Sequence, residues 1–205
     1  MSIPKVDSRD FNITNEFLAL VKSHCSIDFD DDDELLKIYI HSVLSSLEGY
    51  DGKLGIFIGL RTVTQDFDYL NTRNSLIGPW VDDPNFPIFT YLNDLEERVP
   101  VPERLWRIDN TDAGLELVVD KVSIDGIKDF FSENTNIITP DKFRFVYRAG
   151  LGVHPQDLPK DLQFAVLLMV RRMYDYRDDT MRADRVNIPH GASDILDRYK
   201  VQWVG

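Results

Sequence analysis

Carboxylates crowd residues 28–34, where Asp28, Asp30, Asp31, Asp32, Asp33 and Glu34 surround Phe29. Their spacing invites a calcium reading, because Asp28, Asp30 and Asp32 take the first, third and fifth places of an EF-hand-like loop. Such a loop needs glycine at its sixth place and a bidentate Glu at its twelfth. Asp33 and Tyr39 stand there instead, so both requirements fail. The same side chains at a helix N-terminus would favour the macrodipole by about 0.3–1 kcal/mol each. That is the reading retained.

Other chemistries fail on residue type or spacing. Metal-dependent hydrolysis of the Asp plus Glu-x-Lys kind needs a lysine two places after the acid, and no Glu-x-Lys occurs; Asp51-Gly52-Lys53 comes nearest, in a predicted turn. Gly191-Ala192-Ser193-Asp194-Ile195 lacks the second glycine of a nucleophile elbow. His24 and Cys25 adjoin, but consecutive helical residues diverge by about 100° and do not face each other. Cys25 reads as a small buried residue. Gly150-Leu151-Gly152-Val153-His154-Pro155 begins like a dinucleotide fingerprint, yet Pro155 replaces the third glycine, leaving a tight connection into a helix. No Walker A pattern and no zinc-spaced histidine pair occur. We therefore expect no catalytic, cofactor-binding or metal-binding residues and no cofactor. Trp80, Phe86, Phe89, Tyr91 and Trp106 offer either a stacking platform or a core and contact surface, and the second is the more ordinary use.

Bulk properties narrow the classes further. A length of 205 residues with 43% hydrophobic and 11% aromatic content suits one globular domain, or one domain carrying an insertion. Lys and Arg total 23 against 35 Asp and Glu, a net charge of −12. That sign opposes gripping nucleic acid or a membrane surface, since phosphate binding needs clustered cations. It keeps separate copies soluble. Cys25 is the only cysteine, so no intrachain disulfide forms and a reducing compartment is the simplest setting. Residues 1–10 lack a signal-peptide apolar stretch. The longest apolar run, 164–170, is far short of the ~20 residues that span a bilayer. The expectation is a soluble protein made in the cytoplasm.

The elements that must position any site follow from periodicity. A short helix is predicted over 12–25, capped by Thr14 or Asn12, with Phe17, Leu20 and Val21 as its stripe. After the acidic run, Leu36, Tyr39, Ile40, Val43 and Leu47 share one face, opposite Lys37, His41, Ser45 and Glu48; Gly49 or Gly52 ends that helix. From 54 to 146 the chain turns β-rich, with short runs at 56–58, 61–67, 88–92, 105–108, 115–119 and 143–147 and a helical turn at 125–132. Gly and Pro clusters such as Ile77-Gly78-Pro79 split them. Helix returns with Asp157 as N-cap and Leu158, Leu162, Ala165, Val166, Met169 and Met173 in register. Phe164, Leu167, Leu168 and Val170 make its middle apolar nearly all round, which requires enclosure on several sides, by its own chain or by a neighbouring copy. Ser193 caps a last short helix, 194–199.

Two blocks of this sequence resemble the head–tail connector family of tailed bacteriophages, the adaptor or head-completion proteins. The first runs Val21-Lys22-Ser23-His24-Cys25-Ser26-Ile27-Asp28, then Asp30-Asp31-Asp32-Asp33-Glu34-Leu35-Leu36, and on to Glu48-Gly49-Tyr50-Asp51-Gly52. It is similar to the family's short helix, acidic turn, helix, and Glu followed by Tyr and Gly. The second runs Phe143-Arg144-Phe145-Val146-Tyr147-Arg148-Ala149-Gly150-Leu151-Gly152, through Asp157-Leu158-Pro159, to Tyr174-Asp175-Tyr176-Arg177-Asp178. It resembles the family's strand, Ala-Gly-aromatic-Gly, Leu-Pro, apolar helix and Tyr-x-x-Arg-Asp. Leu151 stands where the family commonly has an aromatic. Ile188-Pro189-x-Gly191 with Leu196 and Tyr199 resembles its usual ending. Residues 61–142 carry no clear likeness.

What the resemblance implies is an α+β fold. N- and C-terminal helices form a helical bundle around an inserted β-rich, loop-rich middle region, with 1–53, 54–148 and 149–205 together making one domain. It implies a structural subunit, not an enzyme, that forms a ring of its own copies, typically a dodecamer, under the phage portal. That ring completes the DNA-filled head and offers the tail its platform. Partners would be the portal protein and a tail-side neck or tail-completion protein, with genomic DNA passing the lumen without specific binding. The place would be the virion neck, assembled in the host cytoplasm, with no membrane. The C-terminal tail would reach the portal, which makes Val201, Gln202, Trp203 and Val204 docking candidates and Trp203 the anchor, since interface energy concentrates in buried aromatics. Arg171, Arg172, Tyr174, Arg177 and Asp178 are candidates for contacts between subunits. Two alternatives remain from other classes: a metal-dependent nuclease or hydrolase, and a monomeric binding module using the aromatic middle.

Overall fold

Thr14 begins the first helix: its Oγ1 accepts the Phe17 N–H at 3.2 Å, capping α1 (Asn15–Cys25). This is seen in a computed structural model that describes residues 5–7, 11–68, 70–92, 96–111, 114–119, 143–176 and 188–201. α1 stops where Ser26 turns left-handed (φ 60°), so that the Ile27 N–H donates back to the Lys22 carbonyl. α2 (Asp33–Leu47) then buries Leu36, Ile40, Val43, Leu44 and Leu47, the predicted stripe with Leu44 in place of the half-buried Tyr39.

The chain divides into two units. The first joins Asp10–Leu60 to Leu151–Gly205. It holds α1, α2, α3 (Lys160–Asp175) and α4 (His190–Tyr199). α3 packs against each of the other three helices, which explains its nearly all-round apolarity. Phe17, Val21, Leu36, Ile40, Leu44, Leu47, Leu162, Ala165, Val166 and Val170 are fully or almost fully buried together in its core. Each of the larger side chains among them contributes about 1.5–3 kcal/mol by leaving water.

α3 starts later than the sequence suggests. Asp157 ends a short 3-10 turn (Pro155–Asp157) instead of capping α3, because its carboxylate accepts the N–H groups of Val153 and His154, each at 2.9 Å. α4 starts earlier, since the Pro189 carbonyl accepts the N–H groups of Ala192 and Ser193 and places Ser193 inside the helix. The run 56–58 is an extended segment held by single bonds, with Leu151 donating to the Ile58 carbonyl at 3.0 Å and Leu60 to Gly152 at 2.8 Å.

The second unit joins Met1–Arg9 to Arg61–Gly150. Its strands are β1 (Lys5–Val6), β2 (Arg61–Phe67), β3 (Arg73–Leu76), β4 (Ile88–Leu92), β5 (Arg98–Pro100), β6 (Trp106–Thr111), β7 (Gly114–Val119) and β8 (Phe143–Ala149). They form two antiparallel sheets among the described residues, ordered β1-β2-β8-β4-β5 and β3-β7-β6. Register pairs Val63 with Tyr147 and Phe89 with Phe145, so the alternating Phe143, Phe145 and Tyr147 of β8 share the buried side. Phe145 lies edge-on to Trp106 at 5.6 Å and Trp106 edge-on to Phe89 at 5.8 Å. The Tyr147 hydroxyl donates to the Ile77 carbonyl and accepts the Ile77 N–H; burial pushes that phenol far up. Phe89 and Tyr91 are thus core residues. The expected turn at 125–132 lies outside the described residues. The fold is α+β, with helical chain ends and a sheet-rich middle.

Candidate functional site

The acidic run folds as a turn whose carboxylates are held by partners on α1 and α3. Lys22 Nζ, from the last turn of α1, lies 2.5 Å from Asp30 and 2.7 Å from Asp33. Those two hydrogen bonds push the Lys22 ammonium up, and the first holds the Asp30 carboxyl down. Asp32 occupies the N-cap position of α2 without a side-chain capping bond; its Oδ2 instead accepts the Tyr174 hydroxyl of α3 at 2.6 Å. The carboxylates thus tie three helices together. Among the described residues no three His, Cys, Asp or Glu side chains converge as a metal ion would need.

Glu48 does related work at the far end of α2. Its Oε2 accepts the N–H groups of Ile58 and Gly59 at 3.1 Å each, folding the Glu48-Gly49-Tyr50-Asp51-Gly52 turn back along the following segment. Gly49 takes φ +90°, and at Gly52 a Cβ would fall 2.1 Å from the Glu48 carbonyl, so the turn needs glycine at both places.

The candidate contact residues differ in orientation. Arg171 lies on the exposed side of α3, with Nη1 donating to the His24 carbonyl at 2.6 Å and Nε reaching Asp175 at 3.4 Å. Arg172 sits with its guanidinium 5.5 Å from the Tyr176 ring centre. Tyr174 is committed to Asp32. Arg177 and Asp178 lie outside the described residues. His24 stands edge-on to Phe164 at 6.1 Å; its burial, and then Arg171, push its pKa down. The neighbouring Cys25 is buried, and burial pushes its thiol up, so it is a packing residue.

Of the tail, Val201 is described and Gln202, Trp203 and Val204 are not. The Val201 N–H donates to the Leu54 carbonyl at 2.9 Å. Just before it, the Tyr199 hydroxyl donates to Asp161 of α3 at 2.6 Å, and Arg198 lies 3.2 Å from the same carboxylate. The Tyr199 bond is the main cause holding Asp161 down, while burial, and then that carboxylate, push Tyr199 up. These contacts hold α4 and Val201 in place on the bundle. Sequence spacing gives no sign of the Asp161 tether, because its partners lie 37 and 38 places away.

Residues 15–75 match the family model described as phage gp6-like head-tail connector protein. The fold is similar to a solved chain described as the neck of an empty gene transfer agent particle computed with C6 symmetry, at TM-score 0.67 and 16% identity, covering 99% of this chain and 97% of that one. It is also similar to chains from a native gene transfer agent virion (TM-score 0.65) and from a native neck computed with C12 symmetry (TM-score 0.64). Both are 17% identical, with 99% of this chain and 97% of theirs covered. At these identities the likeness is one of fold. No curated protein matches the chain. The connector resemblance read from the sequence therefore has its counterpart in a family model and in neck folds.

Proposed function

We propose that this chain is a structural head–tail connector subunit of a phage-like particle, residing in the virion neck rather than acting as an enzyme. The observation that carries the reading is the match of residues 15–75 to the connector family model, which covers α1, the acidic turn, α2 and the Glu48 turn. The C6 and C12 symmetry of the neck structures with a similar fold supports assembly as a ring, and the reading adopted is a dodecamer beneath the portal. That ring completes the head and presents a platform to a tail-side neck or tail-completion protein. Genomic DNA passes its lumen unbound, and a chain of net charge −12 suits a channel that must not hold phosphate.

The C-terminal tail is the portal-docking element in this proposal. Val201 is anchored on Leu54, α4 is tethered to Asp161, and Gln202, Trp203 and Val204 follow directly. Deleting the residues after Val201 should leave circular dichroism and melting close to the parent, while portal rings no longer recruit the subunit in negative-stain images. Undiminished recruitment by the shortened chain would refute tail docking.

A further inference from the structure

The two sheets end in four edge strands, and three of those edges are short or covered. β1 has two residues, and the three-residue β5 ends in Pro100, which has no N–H to offer. At β3 the carbonyl of Ser75 accepts Gln65 Nε2 at 3.0 Å. β6 differs: it is six residues long and, among the described residues, pairs with β7 alone. The register sets Thr111 against Gly114, three places on, so this closing pair exchanges its hydrogen bonds. Bonded and unbonded pairs alternate along the hairpin. Arg107, Asp109 and Thr111 therefore bond to β7, while Trp106, Ile108 and Asn110 turn their main-chain groups outward. Two bonds agree with that phase. The Trp106 N–H donates to the Glu103 carbonyl, and the N–H of Val119, opposite Trp106, donates to the Thr72 carbonyl on the β3 side. The outward N–H and C=O groups of Ile108 and Asn110 have no hydrogen-bond partner among the described residues, and Asn110 is exposed. Such a bare edge is a template for one more strand.

The side chains of β6 select that strand. Arg107 and Asp109 lie on one face of β6, with Arg107 Nε 3.0 Å from the Asp109 carboxylate. Suppose a second β6 pairs antiparallel with the first, about a twofold axis at Ile108. Each Arg107 then stands opposite the partner's Asp109, and the four charges alternate in sign, each cation beside two carboxylates. An axis at Asp109 would set carboxylate against carboxylate, and one at Arg107 cation against cation. The axis at Ile108 also aligns the outward groups: the two Ile108 residues exchange a pair of hydrogen bonds, and each Asn110 N–H meets a Trp106 carbonyl. β6 is thus complementary to itself in one register.

We infer that two copies of this chain pair through the outer edges of their β6 strands, antiparallel and in register about Ile108. Main-chain hydrogen bonds hold the pair, and the charges set its register, since exposed ion pairs add little strength. The same patch serves on both copies, so the contact is isologous and closes on two. A ring needs a heterologous contact, so this pairing belongs to the subunit outside the ring. It goes beyond the connector reading and does not rest on it.

Cysteine pairing reads the register. Under mild oxidation an equal mixture of R107C and D109C subunits should give disulfide dimers, because one cysteine pair meets while the other Arg107–Asp109 pair stays intact. Neither variant alone should crosslink, and the buried Cys25 leaves the parent uncrosslinked. N110P reads the edge. It removes an N–H that faces away from β7, so the melting temperature should stay close to the parent. The dimer dissociation constant from sedimentation equilibrium should rise by about tenfold or more, as two lost main-chain hydrogen bonds imply. Undiminished dimerisation of N110P, dimers without a crosslink between positions 107 and 109, or a parent that never dimerises would each overturn the pairing. The connector reading would still stand, since recruitment to portal rings tests it separately.

Discussion

Asp66 shows how a single side chain can carry a pH-dependent share of stability. Its carboxylate, 3% exposed, receives Arg144 Nε at 2.7 Å and Nη2 at 3.0 Å, with Lys5 at 3.4 Å. Burial pushes this acid up, but the hydrogen bonds and charges of Arg144 and Lys5 outweigh it and hold the group below its ordinary value. A carboxyl held low contributes fully above the unfolded value, about 4, and loses that contribution as pH falls through the folded one. Asp66→Asn should therefore cost about 1–3 kcal/mol at neutral pH. The gap from the parent should close as the pH drops below the carboxylate range. Urea midpoints of both proteins across that range check the sign; a gap that widens in acid contradicts it. Steric room decides Gly152 in the same local way. A Cβ there would meet the Asp157 Cβ at 2.3 Å, where Asp157 already holds two backbone N–H groups. Gly152→Ala should destabilise the helical unit by about 1–3 kcal/mol, as overpacking does, and lower its melting temperature.

Elements were legible wherever one periodicity ruled. The stripe of α2 and the alternation of β8 can be read directly, because one face of each is buried and the other is not. β1, β3 and β5 carry no such signal: Lys5–Val6, Arg73–Leu76 and Arg98–Pro100 are short, and pairing with a neighbouring strand, not their own pattern, defines them. Helix starts shifted where a capping side chain had other work, as Asp157 does for Val153 and His154. The tether on α4 belongs at this scale too. Tyr199→Phe removes one charge-assisted hydrogen bond to a partly exposed carboxylate, and should loosen α4 with only a small drop in melting temperature. Hydrogen exchange should then speed up at the amides of 190–201 before those of α2. In a double-mutant cycle with Asp161→Asn, the combined loss should fall short of the sum of the single losses, because both changes break the same bond. Strict additivity would show that Tyr199 and Asp161 act separately.

At the scale of the whole molecule, charge and contact oppose each other. The acidic turn was conspicuous in the sequence, but its use in tying α1, α2 and α3 together was not, since Lys22 and Tyr174 reach it only once the helices pack. Phe164 was hidden for another reason: it lies off the predicted stripe in a run that is apolar nearly all round, and folding left it exposed. Two copies each carrying −12 and centred about 40 Å apart in plain water would repel by roughly 15 kcal/mol. A Debye length of about 8 Å at physiological ionic strength removes most of that. Exposed ion pairs at an interface return only about 0–1 kcal/mol each. Long-range repulsion therefore dominates at low salt, and the apolar contact decides once it is screened. Raising salt from about 20 to about 150 mM should lower the concentration at which copies associate by threefold or more, followed by light scattering. Further salt should change it little, because burial of apolar surface is not an ionic term. Association that weakens steadily with salt would mean that paired charges, not the apolar surface, hold the copies together.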